Sequence, residues 1–240
     1  MRLDMVRPFL SSRKVERSCT MQYSISGEIA QSARLVFAPG EHAWVSKGAL
    51  MAYSSQMQWS LRLPGGAGGA LRRSLSGEGV ALTYLESKAE EQYALLAANA
   101  PGHLEIWDLE RDGPVTTTRG SFVAAWGEDV DITVTVARRA GAAVFGGAGL
   151  FLQTISGLGI ALVHGSGDFY ERQMAAGEEL LVSTGNLAAF SSGIDYDIRG
   201  VGGCRRMLFG GEGLFMTNLR GPGRVLLQTL KRNSGSNSSG

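Results

Sequence analysis

Arginines carry the pattern with the most chemical promise. Arg72-Arg73, Arg138-Arg139 and Arg205-Arg206 each precede a glycine-rich element, and Arg220 and Arg224 bracket a Gly-Pro-Gly. Guanidinium forks match phosphate and carboxylate oxygens. Brought together in a symmetric assembly, such pairs would form a basic ring that binds an anion or a partner. The alternative is a charged strand edge that keeps the protein soluble and blocks aggregation.

Other candidates weaken on inspection. His42, His103 and His164 are evenly spaced, as a metal triad would tempt one to read. They fall at unlike points of the repeat described below, and Glu41 and His42, as neighbours on a strand, point to opposite faces. Asp129/Asp131 and Asp195/Asp197 are same-face pairs on strands, and solvated faces explain them better than acid–base work. "LPGGAGGALRR", Leu63 to Arg73, lacks the Gly-Lys-Ser/Thr ending of a phosphate loop. No Gly-x-Ser-x-Gly elbow occurs, and neither Cys19 nor Cys204 sits beside a histidine. No residue is therefore assigned to catalysis, to a cofactor or to a metal, and the chain is read as not an enzyme.

Composition sets the outer limits. The chain has 240 residues, 44% of them hydrophobic, which is enough for a sizeable core. Its net charge of +1 argues against general binding to nucleic acid or a membrane surface, while leaving a local basic patch open. Two cysteines make neither a disulfide framework nor a four-ligand zinc site, and a reducing compartment fits. Residues 1–20 lack an apolar core and are faintly like an organelle presequence; they read as a flexible extension, or as an early start codon with Met21 as the working start. Residues 231–240 read as a disordered polar tail.

Ala140 to Val163 carries no charge and is long enough to span a membrane. A later copy of the same stretch places Glu212, Arg220 and Arg224 at matching positions, where charges in lipid would cost several kcal/mol. Hence no transmembrane segment is expected.

That copy belongs to a repeat. "FGGAGLFLQTISGLGIALV" (Phe145 to Val163) matches "FGGEGLFMTNLRGPGRVLL" (Phe209 to Leu227), and "GEGVALTYL" (Gly77 to Leu85) is a third version. "PGEHAWVSKGALMAY" (Pro39 to Tyr53) aligns with "AGEELLVSTGNLAAF" (Ala176 to Phe190), with "RGSFVAAW" (Arg119 to Trp126) between them. This alignment puts Tyr53, Trp126 and Phe190 at one aromatic position. Short alternating or β-branched runs such as "DITVTV" and "LFLQTI", separated by Gly, Pro, Asp and Asn, predict an all-β fold. "YALLA" aligns with "IALVH" and is read as strand, and "SGLG" and "RGPG" are read as breaks between two strands. Three tandem β-modules follow, at 21–98, 99–164 and 165–230, with glycines serving chain geometry.

"MQYSISGE", "PGEHAWVSKGALMAY", "GSFVAAW", "GEGLF" and "GPGRVLLQTL" together resemble the altered-inheritance-of-mitochondria family, long held in bacteria as a domain of unknown function. The likeness covers about Met21 to Leu230. It implies three modules of the β-sandwich or double-stranded β-helix kind seen in the tryptophan RNA-binding attenuation protein, around a pseudo-threefold axis, and a homotrimer. Mitochondrial relatives are linked to inner-membrane organisation and respiratory-complex upkeep. The resemblance brings no catalytic residues.

Three readings of function stand. The first is a soluble, cytoplasmic scaffold or binding protein, or a mitochondrial one if the source is eukaryotic, without chemistry of its own, acting on a protein partner in support of membrane-complex organisation. The second is a ring that binds RNA or another anion, marked by steep salt dependence. The third is a cupin-like metal enzyme, which bound metal after gentle purification would support.

Overall fold

The computed structural model describes residues 21–64, 81–137, 150–200 and 215–232. Among them the chain is all-β, with seventeen strands and a single 3-10 turn at Thr184–Asn186. The first segment holds β1 (Gln22–Ser26), β2 (Ser32–Phe37), β3 (His42–Val45), β4 (Leu50–Tyr53), β5 (Met57–Arg62), β6 (Leu82–Ser87) and β7 (Gln92–Ala97). The second holds β8 (Gly102–Asp108), β9 (Val115–Thr118), β10 (Phe122–Ala137) and β11 (Leu150–Ser166). The third holds β12 (Phe169–Met174), β13 (Glu179–Ser183), β14 (Leu187–Ser191), β15 (Asp195–Gly200), β16 (Phe215–Arg220) and β17 (Gly223–Gln228).

Alternation builds the sheets. In β2, Ala33, Leu35 and Phe37 are buried while the residues between them are not, the period of a strand with one covered face. β2 pairs with β7, and β7 with β4. In the second segment β8 pairs with the end of β11, which pairs with the start of β10. In the third β12 pairs with β17, and β17 with β14. A second ladder in each segment joins β3, β6 and β5, then β9 with the first half of β11 and the second half of β10, then β13, β16 and β15.

The registers correspond as well as the order. Pairing skips one residue between Leu50 and Ala52, between Phe122 and Ala124, and between Leu187 and Ala189. Each is a β-bulge, an extra residue that bends the strand. Gln58 pairs with Glu86, Asp131 with Ser156 and Asp195 with Arg220, so the aligned positions do face aligned partners. One alignment shifts. Tyr53 pairs with Ala94, Ala125 with Ala161 and Phe190 with Val225. Ala125, one residue before Trp126, thus holds the place of Tyr53 and Phe190.

The two breaks expected around "SGLG" and "RGPG" differ. β16 does end at Arg220 and β17 starts at Gly223. β11 instead runs unbroken through Gly157 and Gly159 for 17 residues. Both glycines have positive φ, +104° and +152°, and a Cβ on Gly157 would lie 1.6 Å from the Asp129 carbonyl oxygen. Only glycine lets the two long strands turn this corner without parting. "YALLA" lies in β7, as expected.

The cores cross segment boundaries. The first cluster, around Leu35, Phe37, Leu85 and Leu96, is closed by Leu104, Val123 and Trp126 of the second segment. The second, around Trp107, Phe122, Ile132 and Ile155, takes in Leu82 from the first and Ala188, Ala189 and Leu226 from the third. The third, around Phe190, Leu219 and Val225, includes Leu152 of the second. Ala124↔Val45 and Ala189↔Thr117 pairings knit the segments into a continuous sheet.

Candidate functional site

Arg72, Arg73, Arg138, Arg139, Arg205 and Arg206 lie outside the described residues. Their places in the chain are informative all the same. They fall in the connections from β5 to β6, from β10 to β11 and from β15 to β16, which are the corresponding hairpins of the three segments.

Arg220 and Arg224 are placed, and both meet carboxylates. Arg220 Nε donates to Glu179 Oε1 at 2.9 Å, across the β13–β16 ladder. Arg224 is the more enclosed. Its Nε donates to Glu171 Oε1 at 2.8 Å, and its Nη2 donates to Glu105 Oε1 at 2.8 Å. Nη1 reaches Asp112 Oδ2 at 3.4 Å, and the guanidinium lies over the Trp107 ring. Burial works against its charge, but hydrogen bonds to Glu171 and Glu105 outweigh it and hold the pKa above the usual arginine value. Arg224 therefore clasps β17 and β12 of the third segment to β8 of the second.

The histidines occupy three unlike settings. His42 stacks on Tyr84, ring centres 5.2 Å apart. His103 Nδ1 is 2.9 Å from the Gly167 carbonyl, to which it donates, and 3.3 Å from Asp168 Oδ1. His164 is buried, and Arg232 donates to its Nδ1. Arg232 also donates to Ser121 Oγ, to Ser166 Oγ at 3.1 Å and to the His164 carbonyl at 3.2 Å. Burial, then the Arg232 charge, pushes the His164 pKa down to about 4. The imidazole is thus neutral, with its proton on Nε2, and the Ala100 backbone works weakly the other way, favouring the charged form. Burial likewise lowers Arg232 to about 10. Among the described residues, no three His, Cys, Asp or Glu side chains are grouped as metal ligands would be. Asp129, Asp131, Asp195 and Asp197 are all exposed.

The sequence reading missed two features. Arg232, assigned there to the tail, docks onto the β11 end; its partners are about seventy and a hundred and ten positions away in the chain. The second is an apolar face in the first segment. Met57, Trp59, Leu61 and Leu63 alternate along one side of β5 and just beyond it. Met57 is buried, but Trp59 is 54% exposed and Leu61 62%. Ile132, which corresponds to Trp59 by pairing with Ile155 as Trp59 does with Leu85, is 1% exposed. Alternation alone cannot signal this, because it marks a strand's apolar side and not whether anything covers it. Exposed apolar groups of this size are characteristic of contact surfaces.

No helix among the described residues is long and apolar enough to cross a membrane. The family described as Mitochondrial biogenesis AIM24 matches residues 23–230, through all three segments. An uncharacterized protein of Streptococcus pyogenes serotype M6 is 29% identical over 200 residues, covering 80% of this chain and 78% of its own. The crystal structure of protein SPYM3_0169 from Streptococcus pyogenes superposes with a TM-score of 0.72 at 22% identity. That likeness covers 88% of this chain and 94% of the other, and it carries the fold.

Proposed function

Since the chain belongs to the Mitochondrial biogenesis AIM24 family, we propose that it is a non-enzymatic scaffold, built from a triplicated β-unit, that holds a protein partner on its surface. The exposed face of Trp59, Leu61 and Leu63 carries this reading. Aromatic and large aliphatic side chains are the groups that anchor protein interfaces. Four of the described polar groups that a chemical site could use are engaged in holding the fold. Arg224 and Arg220 neutralise carboxylates, and His164 and Arg232 join the second and third segments. The partner is a protein of a membrane-bound complex, in keeping with the biogenesis role for which the family is named.

Native mass spectrometry of the protein purified from its own host tests this. Wild type should retain a companion protein at fixed stoichiometry, and the Trp59→Lys, Leu61→Lys double variant should lose it. Equal retention by both, or no companion on wild type, contradicts the proposal.

The placing of three arginine pairs in three corresponding connections favours a second reading, an anion- or RNA-binding surface. Its mark is affinity for single-stranded RNA that falls steeply with salt and is lost when all six arginines become glutamine. Salt-insensitive binding, or none, counts against it.

A further inference from the structure

Beyond β17 the chain stays tied to the fold for four more residues. Thr229 N–H donates to the Asp168 carbonyl at 3.0 Å, and Leu230 N–H to the Ser166 carbonyl at 3.1 Å. Arg232 N–H donates to the Gly185 carbonyl at 3.0 Å. Thr229 Oγ1 accepts from the Asp168 N–H at 2.8 Å. Yet Thr229, Leu230 and Lys231 are exposed, so little apolar burial secures this strap. Its anchor is the Arg232 side chain, which turns inward.

The partners of that anchor set it apart. Nε donates to Ser166 Oγ at 3.1 Å, and Nη1 donates to Ser121 Oγ and to the Arg119 carbonyl at 3.5 Å. Nη2 donates to the His164 carbonyl at 3.2 Å and to His164 Nδ1. Every one of these acceptors is neutral, whereas Arg220 and Arg224 meet carboxylates. A guanidinium only donates, so each partner must accept. Hydroxyls and carbonyls accept at any pH. His164 Nδ1 accepts only while the imidazole is neutral.

We infer that residues 229–232 are an acid-released strap: protonation of His164 turns Nδ1 from acceptor to donor and expels the Arg232 guanidinium. Two donors then face each other, and two cations meet in an enclosed site. The other titratable group facing His164 is His103 on β8, which is also basic and offsets nothing. Asp168, just before β12, lies 3.3 Å from His103, and Arg119 reaches the site through its carbonyl. Release detaches the strap from the end of β11 and uncovers Ser121, Ser166 and His164. The sign follows from linkage. The docked state resists the proton, with His164 at about 4 against an ordinary 6.5, so docking weakens as pH falls between those values. The inference does not depend on the scaffold reading, which uses the β5 face.

Nuclear magnetic resonance of the full-length, isotope-labelled protein tests it, from about pH 7 down to about pH 4. In wild type the amides of Leu230 and Arg232 should lose their order as pH falls, while those of β11 and β17 keep theirs. His164→Gln should make the order of the strap independent of pH, and His103→Gln should leave the release in place. Arg232→Met, at the chain's end, removes the cation without touching the core. The His164 ring signals should then titrate at a higher pH than in wild type. A strap that stays ordered until the whole fold unfolds overturns the proposal. So does release that persists in His164→Gln or vanishes in His103→Gln. An unchanged His164 titration in Arg232→Met overturns it too, and decides alone if His164→Gln does not fold.

Discussion

The Arg224 guanidinium lies over the Trp107 indole, 4.8 Å from the ring centroid, and so couples the third segment to the second. Its three carboxylate partners complete a cage around a side chain that is 13% exposed. Arg224→Met keeps the stem and removes the charge, leaving Glu105 and Glu171 without their cation while Asp112 keeps Arg111 at 2.7 Å. A loss of about 2–4 kcal/mol is expected, short of the largest values for buried pairs because the carboxylates are partly solvated. Glu171→Gln should cost under about 1 kcal/mol, since Glu171 is half exposed. Urea denaturation at neutral pH compares the two.

His164 makes the fold acid-labile in a defined window. Its folded pKa is about 4 against 6.5 for a free histidine. Between those values the unfolded chain takes up a proton that the folded chain resists, so stability falls as pH falls. The effect is absent above about pH 7 and reaches up to about 3 kcal/mol near pH 4. His164→Gln should flatten this part of the stability profile, measured by denaturant midpoints from pH 7 to pH 4. A profile unchanged by the substitution contradicts the assignment.

Gly157 and Gly40 both have positive φ, +104° and +85°, but different surroundings. Nothing lies within 4 Å of a Cβ built on Gly40, so Gly40→Ala should cost about 1 kcal/mol for the backbone alone. On Gly157 the added carbon meets the Asp129 carbonyl. Gly157→Ala should cost at least about 3 kcal/mol, or prevent folding, as thermal melts of the two variants will show.

Much of the fold was legible in the sequence because strand period and turn glycines are local. The pairing of Asp131 with Ser156 and of Asp195 with Arg220 keeps the register that the aligned repeats imply. The offset at Ala125 was hidden because aligning sequences matches aromatic to aromatic, whereas register counts backbone residues. The second bulge, between Trp126 and Asp129, absorbs the extra residue. The His164–Arg232 contact was hidden for another reason: it depends on how the chain's end returns over β11, which no local pattern encodes. Nor could β4 be distinguished from β10 or β14 by sequence, since all three are apolar and only their neighbours differ.

The central claim is the proposal that this protein works by holding a protein partner on the exposed face of Trp59, Leu61 and Leu63. Sedimentation velocity of the purified full-length chain tests it most directly. One chain has a mass of 25.5 kDa. Wild type purified from its own host should sediment above that mass with its companion protein bound, and the Trp59→Lys, Leu61→Lys double variant should sediment without the companion. A wild-type protein that remains a single chain at every concentration tested would contradict the account.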